Sequence, residues 1–307
     1  MRTKIALHFV LFATVLLLPA RAHSANLVAD YRFHKNYDSN VAQAPDLEPI
    51  GPGSNCFPFD YVGDELRRVL GFPKDNGVAL PDTNTLIASD HYSVAIRMRN
   101  NTDLGQSYGR ILSFDGGVLD CGVYLLGRKL TFYCGGDGTL DVPASGYFDL
   151  VFTRTSAGTF AGYVEGQPSF SFNDVTQLSA IGVGNILRFF RDNECTTGVC
   201  HEDFAGEAAR ISIYDDALTA QEVTDLWSTQ STTTTVELPM CGDQNESGTI
   251  TAADALAALR AAVGTGCCFA VCDVNDSGSV TASDALALLG NAVGQDRPLN
   301  CPFGSLN

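Results

Sequence analysis

Two hydrophobic rhythms divide the chain. From residue 27 to about 214, short apolar stretches alternate with polar positions and are separated by glycine-marked turns, the pattern of strands half-buried in a sheet. After residue 250, apolar residues recur every three or four positions, the pattern of helices. The clearest strand unit is CGVYLLGRKLTFYC, from Cys121 to Cys134. Gly127-Arg128 supplies a two-residue loop with glycine first, as a type II′ turn requires. Counting outward, 126 faces 129 and 121 faces 134, in a non-hydrogen-bonded pair whose Cα atoms stand about 4.5 Å apart. The register therefore predicts a Cys121–Cys134 disulfide. Val123, Leu125, Leu130 and Phe132 share the face turned to the core. Further strands are expected at 111–114, 148–153, 160–164 and 209–214, the last alternating Ala209, Ile211 and Ile213 with Arg210, Ser212 and Tyr214. A short helix follows, opened by a Thr219/Glu222 capping box and carrying Val223, Leu226 and Trp227 on one face. Many strands and one closing helix predict a mainly β fold, an antiparallel jelly-roll β-sandwich.

Outside this body the pattern changes twice. Residues 5–18 form an apolar run after Arg2 and Lys4, and Ala20-Arg21-Ala22 is a small-x-small site. This reads as a secretory signal peptide over residues 1–22, cleaved after Ala22 or else after Ser24, and it is short for a bilayer span. Residues 228–239, STQSTTTTVELP, have too little apolar surface for a core and read as a linker. The expected domains are therefore 23–227 and 240–303, the second a small α domain.

That second domain contains a repeat. DQNESGTITAAD, starting at Asp243, recurs 30 residues later as DVNDSGSVTASD, and 14 of 23 positions are identical between 242–264 and 272–294. The spacing fits a twelve-residue calcium loop. Asp243, Asn245 and Ser247, and again Asp273, Asn275 and Ser277, supply oxygens at positions 1, 3 and 5. Gly248 and Gly278 permit the turn at position 6. Thr249 and Ser279 offer carbonyls at position 7, and Thr251 and Thr281 act at position 9 through water. Asp254 and Asp284 close the shell at position 12. Hard oxygen donors select Ca²⁺. Leu256, Leu259 and Val263 share one helical face, as do Leu286, Leu289 and Val293, and Gly264 and Gly294 sit where a helix would stop. No helix is expected before either loop, so each unit is a loop plus an exiting helix.

Two resemblances follow from these residues. ADYRF, GRILSF, FDLVFTR, GYVEG and above all FAGEAARISIYDDALTAQEV resemble laminin-G-like, concanavalin A-like jelly-roll domains of secreted bacterial proteins, over about 27–227. That resemblance implies two antiparallel sheets, a glycan or protein ligand, and often a calcium ion at a loop edge. The tandem loop–helix units resemble a type I dockerin domain over about 240–303. This implies bound calcium and docking to a cohesin-type partner through loop positions 10 and 11, here Ala252, Ala253, Ala282 and Ser283, and the helix that follows. It also implies that the ends of the domain meet, joining Cys241 to Cys301. One departure is serine at position 5 of both loops, commonly aspartate in the family, which leaves two ligand carboxylates per site.

Charge and cysteine count narrow the classes. With 35 acidic against 19 basic residues the net charge is −16, and losing Arg2, Lys4 and Arg21 with the signal takes it to −19. A phosphate-reading nucleic-acid binder is excluded on that balance. Ten cysteines point to an oxidising compartment. In the acidic loop 192–203, Cys195 and Cys200 are close enough to pair. Asp192, Asn193, Glu202 and Asp203 there are either ligands of a second kind of calcium site or a solvated loop. Cys272 is expected to join Cys267 or Cys268. That leaves Cys56 and one of the vicinal pair either joined across the linker or, as the flexible linker favours, free or intermolecular. No HExxH or phosphate loop occurs, nor the paired-carboxylate strand of jelly-roll glucanases. Tyr31, Tyr37, Tyr61 and Tyr108 are candidates to stack on sugar rings. The expected function is a secreted, non-catalytic protein whose sandwich recognises a glycan or extracellular surface ligand and whose calcium-loaded module docks to a cohesin-type partner. The alternative is a polysaccharide-degrading glycoside hydrolase of a cellulosome-like complex.

Overall fold

The computed structural model describes residues 24–81, 83, 86–87, 90–181, 186–192, 202–229, 239–264 and 266–303. The expected signal peptide, residues 230–238 of the linker, Asn193 and the Cys195–Cys200 pair lie outside these residues. Two antiparallel sheets form a β-sandwich. The first runs β1 (Leu27–Tyr31), β16 (Gly206–Tyr214), β7 (Tyr92–Asn100), β12 (Phe148–Arg154), β13 (Thr159–Val164), β14 (Gln167–Asn173), with β5 (Leu70–Phe72) also paired to β16. The second runs β11 (Gly136–Asp141), β10 (Lys129–Tyr133), β9 (Gly122–Leu126), β8 (Tyr108–Ser113), β15 (Leu187–Phe189), β6 (Gly77–Leu80), β2 (Glu48–Ile50). A separate ribbon pairs β3 (Phe59–Val62) with β4 (Glu65–Arg68).

Sequence-local pairings came out as expected. Leu126 faces Lys129 and Gly122 faces Tyr133 around Gly127, which has φ +59°. Val123, Leu125, Leu130 and Phe132 are buried in the main core. Cys121 and Cys134 are bonded, with Cα atoms 5.5 Å apart rather than about 4.5 Å, because both lie just beyond the paired strands and Cys134 turns to φ +78°. β16 departs from simple alternation. A register shift between Ala208 and Arg210 turns Ala208, Ile211 and Ile213 into the main core. Ala209 packs instead with Val62 and Val69 on the far side. The outward face of the first sheet is covered too. Arg97 pairs with Asp149, and Arg99 with Asp60 and Glu207, while Arg210 and Arg32 share Asp30.

Helix α1 (Ala220–Thr229) closes the sandwich and runs two residues past the expected domain end. Thr219 and Glu222 exchange the reciprocal capping bonds, and Val223 is buried against Ala95 and Val151. The C-terminal part has α2 (Ala252–Ala262) and α3 (Ala282–Ala292), each directly after a loop, packed on one another around Ala255, Ala258, Ala285 and Leu288. Cys241 is bonded to Cys301, closing this unit end to end.

One expectation is overturned. Cys56 is neither free nor intermolecular: it is bonded to Cys267, and Cys268 takes Cys272. The premise of independent parts fails because the ribbon docks on the C-terminal unit. Phe59 and Leu66 bury a joint cluster with Val271, flanked by Tyr61, Ala270 and Phe303. Glu246 accepts from Lys35 and Arg68 beside it. This contact holds Cys267 against Cys56, with Cα atoms 6.0 Å apart.

Candidate functional site

The two loops have one conformation. Position 4 is left-handed in both, Glu246 at φ +55° and Asp276 at +54°, and position 6 likewise, Gly248 at +81° and Gly278 at +83°. Asp243 accepts from the Ser247 and Gly248 amides at 2.9 and 2.7 Å, and Asp273 from Ser277 and Gly278 at the same distances. Asp254 accepts from the amide and hydroxyl of Thr251, and Asp284 from those of Thr281, so each closing aspartate also caps its helix. The Ser247 hydroxyl reaches the Thr249 carbonyl and that of Ser277 the Ser279 carbonyl. Asn245 accepts from the Ser247 amide, whereas the Asn275 amide donates to Ser283. All four aspartates are nearly fully buried, at most 4% exposed. No cationic side chain pairs with any of them among the described residues. Two buried carboxylates in one loop without a counter-charge are costly unless a cation joins them. The donor set, two carboxylates plus amide, hydroxyl and carbonyl oxygens, fits a hard dication such as Ca²⁺.

The leucine faces of α2 and α3 point outward, not into the core. Leu256, Leu259, Leu286 and Leu289 are each 44–58% exposed and, with Ala252 and Ala282, line an apolar groove of about 370 Å³. Small alanines between the helices leave the larger residues on the surface. Ala253 and Ser283 are exposed next to it.

On the sandwich, the outward face of the second sheet gathers groups that the sequence scattered. Tyr108, Tyr124 and Tyr133 meet edge to face at 5.7–6.1 Å. Tyr133 is 43% exposed, whereas Tyr124 is buried and donates to Asp120 at 2.9 Å. Arg110, fully buried, lies 4.5 Å over the Tyr124 ring and donates to Asp192 at 2.6 Å and Asp120 at 2.9 Å. Carboxylate oxygens of Asp120, Asp192 and Glu202 lie within 4.8 Å of one another. Burial, then the charges of Asp192 and Asp120, raise the Glu202 carboxyl. Burial, opposed by the bond donated from the Asp192 amide and reinforced by the carboxylates of Asp192 and Asp75, pushes Asp203 up to about 6. Of the predicted acidic-loop residues, Asp192 and Glu202 thus meet, and Asp203 accepts from the Asp192 amide. The Arg110 guanidinium already supplies positive charge to this group. Asp120 and Tyr133 carried no signal in sequence, although both flank the hairpin cysteines that the register located. Of the four tyrosines expected to stack on sugars, Tyr31 is buried with its hydroxyl on Pro45, Tyr37 packs on Phe57 and Tyr61 on the ribbon cluster. Only Tyr108 joins this face. A larger recess of about 710 Å³ is lined by residues 100–106, 126–129 and 141–144, and three of its polar side chains are engaged within the protein. Asn101 sits between Arg99 and Glu207, Arg128 donates to the Val142 carbonyl, and Asp103 accepts from the Gly105 amide.

Comparison with solved structures places the sandwich. The chain is similar to domain 4 of AbnA, a GH43 extracellular arabinanase from Geobacillus stearothermophilus, solved in complex with arabinotriose. The TM-score is 0.52 at 19% identity, over 66% of this chain and 99% of that one. It is also similar to the binding domain of botulinum neurotoxin serotype D/C, with TM-score 0.50 at 12% identity. That match covers 69% of this chain and 54% of the other, so the chain spans about half its length. At these identities the likeness establishes the β-sandwich. No protein-family model matches the chain, and no curated protein matches it. No described helix is long and apolar enough to cross a membrane.

Proposed function

We propose that the protein is a secreted, non-catalytic glycan-binding protein. Its sandwich takes a neutral saccharide on the outward tyrosine face, and its calcium-loaded C-terminal unit docks it to a cohesin-type partner. The observation that carries the glycan reading is the exposed Tyr133 beside Tyr108, ringed by the acceptors Asp120, Asp137 and Glu202. An aromatic face takes the apolar face of a sugar, and carboxylates accept from its hydroxyls. The acidic surround disfavours a sialylated or uronic ligand and fits a neutral one, in keeping with the arabinotriose held by the similar arabinanase domain. Binding to arabino-oligosaccharides and a panel of neutral and acidic glycans is the test, with Tyr133→Ala expected to weaken binding at least tenfold. Unchanged binding by that variant defeats the assignment.

The docking reading is supported by the exposed leucines repeated on α2 and α3, which the sandwich leaves uncovered. Four disulfides among the described residues accord with secretion. Capture of cohesin domains with calcium, and its loss with chelator or on Leu256→Asp with Leu286→Asp, tests it. A second reading, a retaining glycosidase, is favoured only by the close Asp120 and Glu202 carboxyls. Release of reducing ends that disappears in Asp120→Asn would establish it.

A further inference from the structure

The two calcium loops are near twins in sequence, with the same residues at positions 1, 3, 5 and 12 and the same backbone. Their surroundings differ. Glu246, at position 4 of the first loop, is gripped by Lys35 and Arg68, and Arg68 also reaches the Gln244 carbonyl. A cleft of about 520 Å³ between sandwich and loop brings Lys35, Arg67 and Arg68 alongside the ligand residue Asp243 and Gly248. At position 4 of the second loop stands Asp276. Among the described residues no cation pairs with it, and the ribbon offers it the neutral Tyr61 phenol.

Resting on the calcium reading above, we propose that the docked sandwich makes the first loop the weaker site, so that the second fills first. Lys35 and Arg68 meet the Glu246 carboxylate at the first loop, with Arg67 also lining the cleft, whereas at the second loop the Asp276 carboxylate has no cationic partner among the described residues. Net charge placed within about one screening length of a dication makes the difference on the order of tenfold in affinity at physiological salt. The inequality does not come from the ligands, which the repeat preserves. It comes from the neighbour that the Cys56–Cys267 bond holds in place.

Calcium titration of the full, disulfide-intact chain tests this. Asp243→Asn leaves the second site and Asp273→Asn the first, and the second is expected to bind about tenfold more tightly. Lys35→Gln, at a half-exposed side chain, is expected to strengthen the first site about two- to threefold and leave the second unchanged. Glu246→Gln is expected to weaken the first site, and raised salt to narrow the gap. Should either aspartate variant fail to fold, two-step titration of the wild type beside Lys35→Gln assigns the sites, because only the weaker step is expected to tighten in that variant. Equal sites, or a Lys35→Gln variant with no effect on the first, overturn the proposal and leave the calcium reading standing. No calcium bound at either site overturns both.

Discussion

Asp243, Asp254, Asp273 and Asp284 are buried against backbone amides and have no cationic partner among the described residues. Binding that favours the folded state adds about 2.7 kcal/mol per site at a hundredfold excess over the dissociation constant. Chelation is therefore expected to lower the melting temperature, and Asp254→Ala with Asp284→Ala to abolish the response. A melting temperature indifferent to calcium in the wild type would sink the metal assignment. Asp203 makes a different prediction. Its folded carboxyl titrates at about 6, above the ordinary 3.8. The folded state thus holds the proton more tightly than the unfolded chain does. This contribution to stability is complete below pH about 4 and is lost as the pH rises through 6. Asp203→Asn keeps the oxygen that accepts from the Asp192 amide and removes the charge. It is expected to stabilise by about 1 kcal/mol at pH 7.5, discounted for partial exposure, and by little at pH 4. Denaturant midpoints at the two pH values decide this, and equal shifts would refute it.

Elements were legible where their pairing is local. The Cys121–Cys134 hairpin follows from a two-residue turn, because a register set by adjacent residues needs no distant partner. Gly127→Ala tests that turn. Its φ is +59°, and an added Cβ would stand 2.5 Å from the Gly105 carbonyl. A loss of about 1–2 kcal/mol in denaturant unfolding is expected, and a neutral substitution would contradict the geometry. The shared conformation of the two repeat loops was legible for the same reason, since the contacts that shape each loop lie within twelve residues. The orientation of the leucine stripes was not. A shared apolar face does not say which way it turns: at α2 and α3 alanines pack inward and leucines face out, a choice made by the helix pair and not by either helix. Alternation at Ala209 misled, because the shift that rotates it out of the core arises in pairing with β7, far away in sequence. The tyrosine face was invisible because β8, β9, β10 and residue 202 meet only in the folded sheet.

At the scale of the whole molecule, the polar linker implied two bodies moving independently, and three observations contradict this. The Phe59–Leu66–Val271 cluster, the Glu246 ion pairs and the Cys56–Cys267 bond lie together on one contact. The contact lies on the side of the C-terminal unit that carries Glu246 and Val271 and leaves the leucine groove open. The bond spans 211 residues and cross-links a very long loop of the unfolded chain. The loop-entropy account of disulfides then gives about 5 kcal/mol of stabilisation. Cys56→Ser with Cys267→Ser removes the staple and keeps the apolar cluster and ion pairs. Its unfolding free energy is expected to fall by about that amount. At low salt the radius of gyration from small-angle scattering should match the wild type, whereas high salt with chelator should expand the variant and not the wild type. The ion pairs weaken under those conditions, and the disulfide does not. A variant that stays compact throughout would mean that the apolar cluster alone holds the two parts. One expanded already at low salt would mean that the disulfide creates the contact instead of locking it.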